Sequence, residues 1–182
     1  KNALRDFRLS GAELEGDARE RFREIVSELS TLCNRFDQNL LDATDHWCLD
    51  ILEENDLQGL PQSAIDLALK TAEDASLPGW RFSLQAPSYI PFMMFCENRT
   101  LRETMYEAYV TRASDTGPDA GKFDNGFLMV QILALRAEMA SLLGFADYAQ
   151  YALEDRMADS AQEVSEFLQT LAGRAKEAAI EE

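Results

Sequence analysis

Apolar residues at Ala18, Phe22, Ile25, Leu29, Leu32, Phe36 and Leu40 follow one another at gaps of three and four. At 3.6 residues per turn this spacing keeps all seven on one helical face. The pattern predicts a helix from Asp17, with Glu20 three residues on as its capping partner, to about Asp45, roughly 40 Å long at 1.5 Å per residue. It is the longest element of the chain.

Beyond that helix the period changes. Trp47, Leu49 and Ile51 alternate with Cys48 and Asp50, and Trp80, Phe82 and Leu84 alternate across Arg81 and Ser83. Alternation of this kind predicts two short strands, around 47–52 and 80–85, able to pair in a direction that the sequence leaves open. Between them, GLPQSAIDLALKTAEDAS predicts a helix with Pro61 in its first turn and Ile65, Leu69, Ala72 and Ala75 as its apolar stripe. APSYIPFMMFCENRT reads as a proline-punctuated approach to a further helix, capped by Asn98, with Leu101, Met105 and Ala108 or Tyr109 turned inward. The PFMMF run within it reads as a core patch.

After a loop, DNGFLMVQILALRAEMASLLG is apolar almost all round, as expected of a helix surrounded by others, with Gly144 as its stop. Two more helices are expected, one near Tyr148 to Met157 and one opened by the capping box Ser160 to Glu163, with Val164, Phe167, Leu168 and Leu171 inside. The fold class is therefore mainly α: a multi-helix array with one small β-strand pair, forming a single body over residues 1–182. No repeat of fixed period supports a regular solenoid.

Composition excludes several roles. Seventeen Lys and Arg against thirty-three Asp and Glu give a net charge of −16, which repels phosphate backbones and anionic lipid headgroups. Neither nucleic acid nor a membrane surface is an expected partner. The longest apolar runs, FLMV and ILAL on either side of Gln131, fall well short of the roughly 20 residues of a spanning helix. Three cysteines in no pairing pattern suit a reducing compartment, so the cytoplasm is the expected location. The chain opens on Lys1 with no initiator Met and closes on AKEAAIEE, a helix-forming run without a stop signal. Both ends are expected to be internal cuts.

Searches for a site of chemistry return little. A single histidine, His46, rules out an H-E-x-x-H zinc motif within this chain. His46 and Cys48 mimic a thiol and base pair, but no third group orients them, and packing accounts for the thiol. Asp42 and His46 share a helix end whose negative pole favours a protonated imidazole, so no metal is needed there. Gly11 and Gly16 have P-loop spacing, yet Asp17 and Ala18 stand where Lys and Ser or Thr are required. The acidic loop in YEAYVTRASDTGPDAGKFDN also fails as an EF-hand, since numbering from Asp115 places Ala120 at the obligatory Gly and Gly126 at the bidentate Glu. Its expected role is structural: Gly117, Pro118 and Gly121 make the turn, Asp124 or Asn125 caps the following helix, and Arg112 and Asp115 tie the preceding helix end to the loop. No catalytic and no metal-binding residue is assigned.

Six stretches in order, LSGAEL, LDATDHW, LQAPSYIPFM, LRETMYEAYVTRASDTGPDAGKFDN, ILALRAEMASLLGFADYA and MADSAQEVSEFLQTLA, resemble the bacterial oligopeptidase A branch of the thimet oligopeptidase family of zinc metallopeptidases. The resemblance spans nearly the whole chain, and the loop stretch is its most specific part. It implies a large, mostly helical parent in which two lobes enclose a channel, with zinc held on the downstream lobe by an H-E-x-x-H helix and a later Glu. In such a parent zinc lowers the pKa of its bound water and the motif's Glu acts as general base on a peptide bond. The chain would be an internal segment upstream of that lobe, with short peptides and the rest of the same protein as partners, serving as channel wall and scaffold without zinc of its own. Where relatives often carry Pro before the first long helix, this chain reads LEGDARE. A stand-alone acidic helical interaction module is the alternative that composition and periodicity leave open.

Overall fold

The computed structural model describes residues 2–181. Eight α-helices and one pair of short strands are present among them, in the order α1 (Asn2–Leu9), α2 (Gly16–His46), β1 (Cys48–Ile51), α3 (Gln62–Asp74), β2 (Trp80–Ser83), α4 (Ala86–Phe95), α5 (Arg99–Val110), α6 (Gly126–Leu142), α7 (Tyr148–Leu153) and α8 (Ala161–Glu181). The mainly α class with a small strand pair is thus the observed one. A single 3-10 turn, Glu54–Leu57, follows β1. The contacts divide the chain into two compact units, one formed by the segments up to Thr31 and from Gln131 onward, the other by Leu32–Val130.

In the Leu32–Val130 unit, β1 and β2 pair antiparallel, with Cys48 opposite Ser83, Leu49 opposite Phe82, Asp50 opposite Arg81 and Ile51 opposite Trp80. This register turns Ile51 and Phe82 into the core and leaves the Asp50–Arg81 pair toward solvent, where Arg81 Nε and Nη2 bind the two carboxylate oxygens at 2.6 and 2.8 Å. Helix α3 lies on the strand pair through Ala64, Ala68 and Ala72, all buried. The expected stripe of Ile65, Leu69, Ala72 and Ala75 is corrected here: Leu69 is 41% exposed and Ala75 is also exposed, while Ile65 only borders the core. Small side chains at a four-residue spacing bring a helix backbone close to its neighbour, and that close fit outweighs the larger aliphatic surface on the adjacent face. Pro61 is the N-cap residue, one position before the first turn.

The PFMMF run is divided. Phe92 is fully buried and meets Phe82 edge to face at 4.7 Å between ring centres, whereas Met94 and Phe95 are largely exposed. Helix α4 carries Pro91 in its interior and ends at Phe95. Asn98 caps α5 as expected, its side chain accepting from the backbone N–H groups of Thr100 and Leu101 at 3.1 and 3.3 Å. Met105 and Ala108 point into the core, and Tyr109 stacks on Tyr89 at 3.9 Å.

The other unit is built from α1, the first half of α2, most of α6, and α7 and α8. Its buried apolar side chains are Phe22 and Ile25 of α2 with Ile132, Leu135, Met139 and Ala140 of α6. Arg21 of α2 and Glu138 of α6 form a two-pronged pair at 2.7 and 2.8 Å, which raises the guanidinium pKa and holds the carboxyl below its ordinary value. Two expectations are overturned. Helix α6 leaves Phe127, Val130 and Leu133 at least 64% exposed, so it is not surrounded on all sides. Helix α8 buries nothing: Phe167, Leu168 and Leu171 are each more than half exposed. An apolar stripe states only that a face can be buried, and among the described residues no element covers this one. Half of the α8 capping box forms as expected, with Ser160 Oγ accepting from the Glu163 N–H, while Glu163 Oε2 accepts from the Asp159 N–H, one residue before the cap.

Candidate functional site

The loop between α5 and α6 carries the residues that the sequence singles out, all within the Leu32–Val130 unit. It closes on itself at its base: Ala113 C=O accepts from the Asn125 N–H at 2.9 Å, and Ser114 C=O accepts from the Gly121 N–H at 3.0 Å. Ala113 holds a left-handed backbone (φ 52°), a conformation that costs a residue with a Cβ about 1–2 kcal/mol. The surrounding hydrogen bonds hold it there. Gly117 makes the tightest turn, with φ +83°, where a Cβ would stand 1.9 Å from Thr111 Oγ1. Only glycine fits.

Arg112 and Asn125 then fasten the loop to α2. Arg112 donates through Nε to the Tyr109 carbonyl at 2.8 Å and through Nη1 to Thr44 Oγ1 at 2.9 Å, with its guanidinium 3.7 Å from the centre of the Tyr109 ring. The end of α5 is thereby tied to α2. Asn125 is 2% exposed; its Oδ1 accepts from Asn39 Nδ2 at 2.8 Å, and its Nδ2 donates to the Phe36 carbonyl at 3.0 Å. At the head of α6 the side-chain acceptor is Asp124, whose Oδ1 takes the Gly126 N–H at 2.8 Å. Asn125 contributes its backbone carbonyl to the Met129 N–H and turns its side chain back to α2. Asp115 is exposed and makes no hydrogen bond or ion pair among the described residues. The tie expected of Arg112 and Asp115 together therefore passes through Arg112 and Thr44.

Further along the loop, Lys122 Nζ lies 2.5 Å from His46 Nε2, and Asp119 Oδ1 lies 3.6 Å from the same nitrogen. The Phe123 ring is tilted against the imidazole at 5.6 Å. Residues Asn39, Thr44 and Lys122 were not marked by the sequence; each sits far along the chain from its partner, and a lone polar residue on a helix or in a loop carries no local signal of such a contact. His46 thus faces a lysine rather than Cys48. Burial pushes the Cys48 thiol up from its ordinary value, the opposite of what a nucleophile requires.

The zinc that the family resemblance implies does not fit these residues. No group of three or more His, Cys, Asp or Glu side chains is placed to hold a metal ion among the described residues, and the one imidazole has an ammonium group against its Nε2. No described helix is long and apolar enough to cross a membrane.

Comparison with known proteins gives these observations their context. The chain is 51% identical over 176 residues to oligopeptidase A of Haemophilus influenzae, 97% of this chain and 26% of that protein. It is 49% identical over 175 residues to oligopeptidase A of Escherichia coli strain K12, again 96% of this chain and 26% of the relative. A probable cytosolic oligopeptidase A of Arabidopsis thaliana is 37% identical over 186 residues, 98% of this chain and 26% of its own length. The chain therefore spans about a quarter of the length of the curated relatives it matches. The model of peptidase family M3 matches residues 92–182, which is half of the sequence and includes the whole α5–α6 loop. On that match, the chain belongs to peptidase family M3.

Proposed function

We propose that this chain is a non-catalytic wall and scaffold within the upstream, non-zinc-binding part of a zinc metallo-oligopeptidase that hydrolyses short peptides. One observation carries the reading: nearly the entire chain aligns at about half identity with oligopeptidase A, over only 26% of that protein's length, and its sequence, with one histidine, holds no H-E-x-x-H motif. The chain contributes rigid helical surface, the catalytic lobe of the same protein supplies the zinc and the water-activating Glu, and short unfolded peptides are the substrates. Within this reading residues 1–182 act as one structural part, and Arg112, Asp124 and Asn125 serve to fix the α5–α6 loop. Three free cysteines, Cys33, Cys48 and Cys96, are consistent with a cytoplasmic setting.

The test compares the 182-residue chain with the protein encoded by its complete reading frame. Both are assayed on a short internally quenched fluorogenic peptide, with and without a zinc chelator, and for bound metal by elemental analysis. The 182-residue chain is expected to bind no stoichiometric zinc and cleave nothing, and the complete protein to cleave the peptide and lose that activity to the chelator. Zinc-dependent cleavage by the 182 residues alone would overturn the assignment. So would a reading frame that encodes no H-E-x-x-H.

A further inference from the structure

We propose that Asn125–Gly126 is a modification site held shut by the fold: the pair deamidates when the α5–α6 loop lifts from α2, and the product cannot dock there again. The sequence contains an Asn-Gly pair at this position alone.

The chemistry needs only these two residues and water. The Gly126 amide nitrogen attacks Asn125 Cγ, a new C–N bond closes a succinimide ring, and the side-chain amide leaves as ammonia, taking the proton that the Gly126 nitrogen gives up. Water then opens the ring at either carbonyl and leaves aspartate or isoaspartate. No oxidant or reductant takes part. Glycine in the second position favours ring closure because no Cβ obstructs the approach of its nitrogen, and asparagine is among the thermolabile residues for this reason.

In the docked loop each requirement is blocked. The Asn125 side chain is fixed at both atoms of its amide, Oδ1 by Asn39 Nδ2 at 2.8 Å and Nδ2 by the Phe36 carbonyl at 3.0 Å, so Cγ cannot turn toward the next residue. Gly126 is the first residue of α6; its N–H is taken by Asp124 Oδ1 at 2.8 Å, and the Asn125 carbonyl accepts from the Met129 N–H at 2.9 Å. The peptide group between the pair is thus held from both sides. With Asn125 only 2% exposed, the water that opens the ring is also kept out. Lifting the loop and unwinding the first turn of α6 removes these restraints together, and it breaks the bond from the Asn125 N–H to Ala113 C=O, which frees Ala113 from its left-handed backbone. Reaction therefore draws on the open population, as exchange of a protected amide does. Conversion is one-way. An aspartate at this position sets a carboxylate oxygen, in place of a donor, against the Phe36 carbonyl and buries a charge without a cation beside it. Isoaspartate in addition inserts a methylene into the main chain at the head of α6.

The test uses the protein encoded by the complete reading frame, incubated at mildly alkaline pH with and without urea, cut with trypsin and followed by mass spectrometry of the peptide Phe123–Arg136, which carries the pair. The folded protein is expected to deamidate at least about thirty-fold more slowly than the unfolded one, the open population that two side-chain hydrogen bonds of ordinary strength allow. Asn39→Ala removes one of those bonds and is expected to raise the folded rate about five-fold while leaving the rate in urea unchanged. Adding Gly126→Ala to Asn39→Ala should slow the reaction in both states, which a merely structural effect would not do in urea. Asn125→Asp supplies the product directly and is expected to speed hydrogen exchange at the Gly121 amide, whose acceptor is the Ser114 carbonyl at the base of the loop. Equal rates with and without urea, a folded rate that Asn39→Ala does not move, or unchanged exchange at Gly121 in Asn125→Asp would overturn the proposal.

Discussion

Replacing Asn125 by Ala tests the principal tie between the loop and α2. The side chain is 2% exposed and makes two hydrogen bonds, to the Phe36 carbonyl at 3.0 Å and from Asn39 Nδ2 at 2.8 Å. Each is worth about 1 kcal/mol net, and the Asn39 amide left without its acceptor adds a desolvation cost of about 1 kcal/mol. The expected loss is therefore about 2–3 kcal/mol. The only tryptophans, Trp47 and Trp80, both belong to the unit that contains this contact, so fluorescence-detected urea unfolding reads the right part of the molecule. The midpoint should fall while the slope with denaturant is unchanged. Asn39→Ala alone should cost less, since it leaves the Phe36 bond in place, and the double mutant should reveal a coupling of about 1 kcal/mol between the two asparagines. A loss below about 0.5 kcal/mol for Asn125→Ala, or two strictly additive single substitutions, would refute the view that this buried amide holds the loop.

Two further substitutions probe features of the same unit. The Arg81 guanidinium holds the Asp50 carboxyl below its ordinary value, so the pair adds stability above the ordinary aspartate range, near pH 3.9, that is lost as pH falls through the lower folded value. Asp50→Asn should accordingly cost at most about 1 kcal/mol at pH 7, because the pair is solvent-facing, and should flatten the decline in stability between pH 4 and 2.5 measured by urea titration. Gly117→Ala should destabilise by about 2 kcal/mol or more, since φ is +83° and the new Cβ would collide with Thr111 Oγ1. Adding Thr111→Gly should recover the part due to collision and leave the part due to backbone conformation, read as a partial return of the thermal midpoint.

The long helix α2, the cap at Asn98 and the capping box at Ser160 were legible in the sequence because each depends on residues three or four apart. Local chemistry decides such features before the chain has any shape. The strands were legible as a period of two, and the α5–α6 loop as a turn built on Gly117, Pro118 and Gly121. What the loop binds was not. Asn125 looked like a cap because it directly precedes a helix, yet its side chain spans 86 and 89 residues to reach Asn39 and Phe36, and Asp124 takes the N–H at the helix head.

Most helices and both strands were readable from local pattern, though α1 and the Pro91-containing helix α4 were not, and the long irregular loop motif pointed to the family. Periodicity and turn chemistry are properties of neighbours along the chain, and they survive without knowledge of the fold. Only packing settled the antiparallel register that sets Arg81 against Asp50, the choice of Ala64, Ala68 and Ala72 as the packed face of α3, and the exposure of Phe167, Leu168 and Leu171 among the described residues. Each of these depends on which surface arrives opposite, and a face with apolar residues becomes core only where a second surface of matching shape displaces the water.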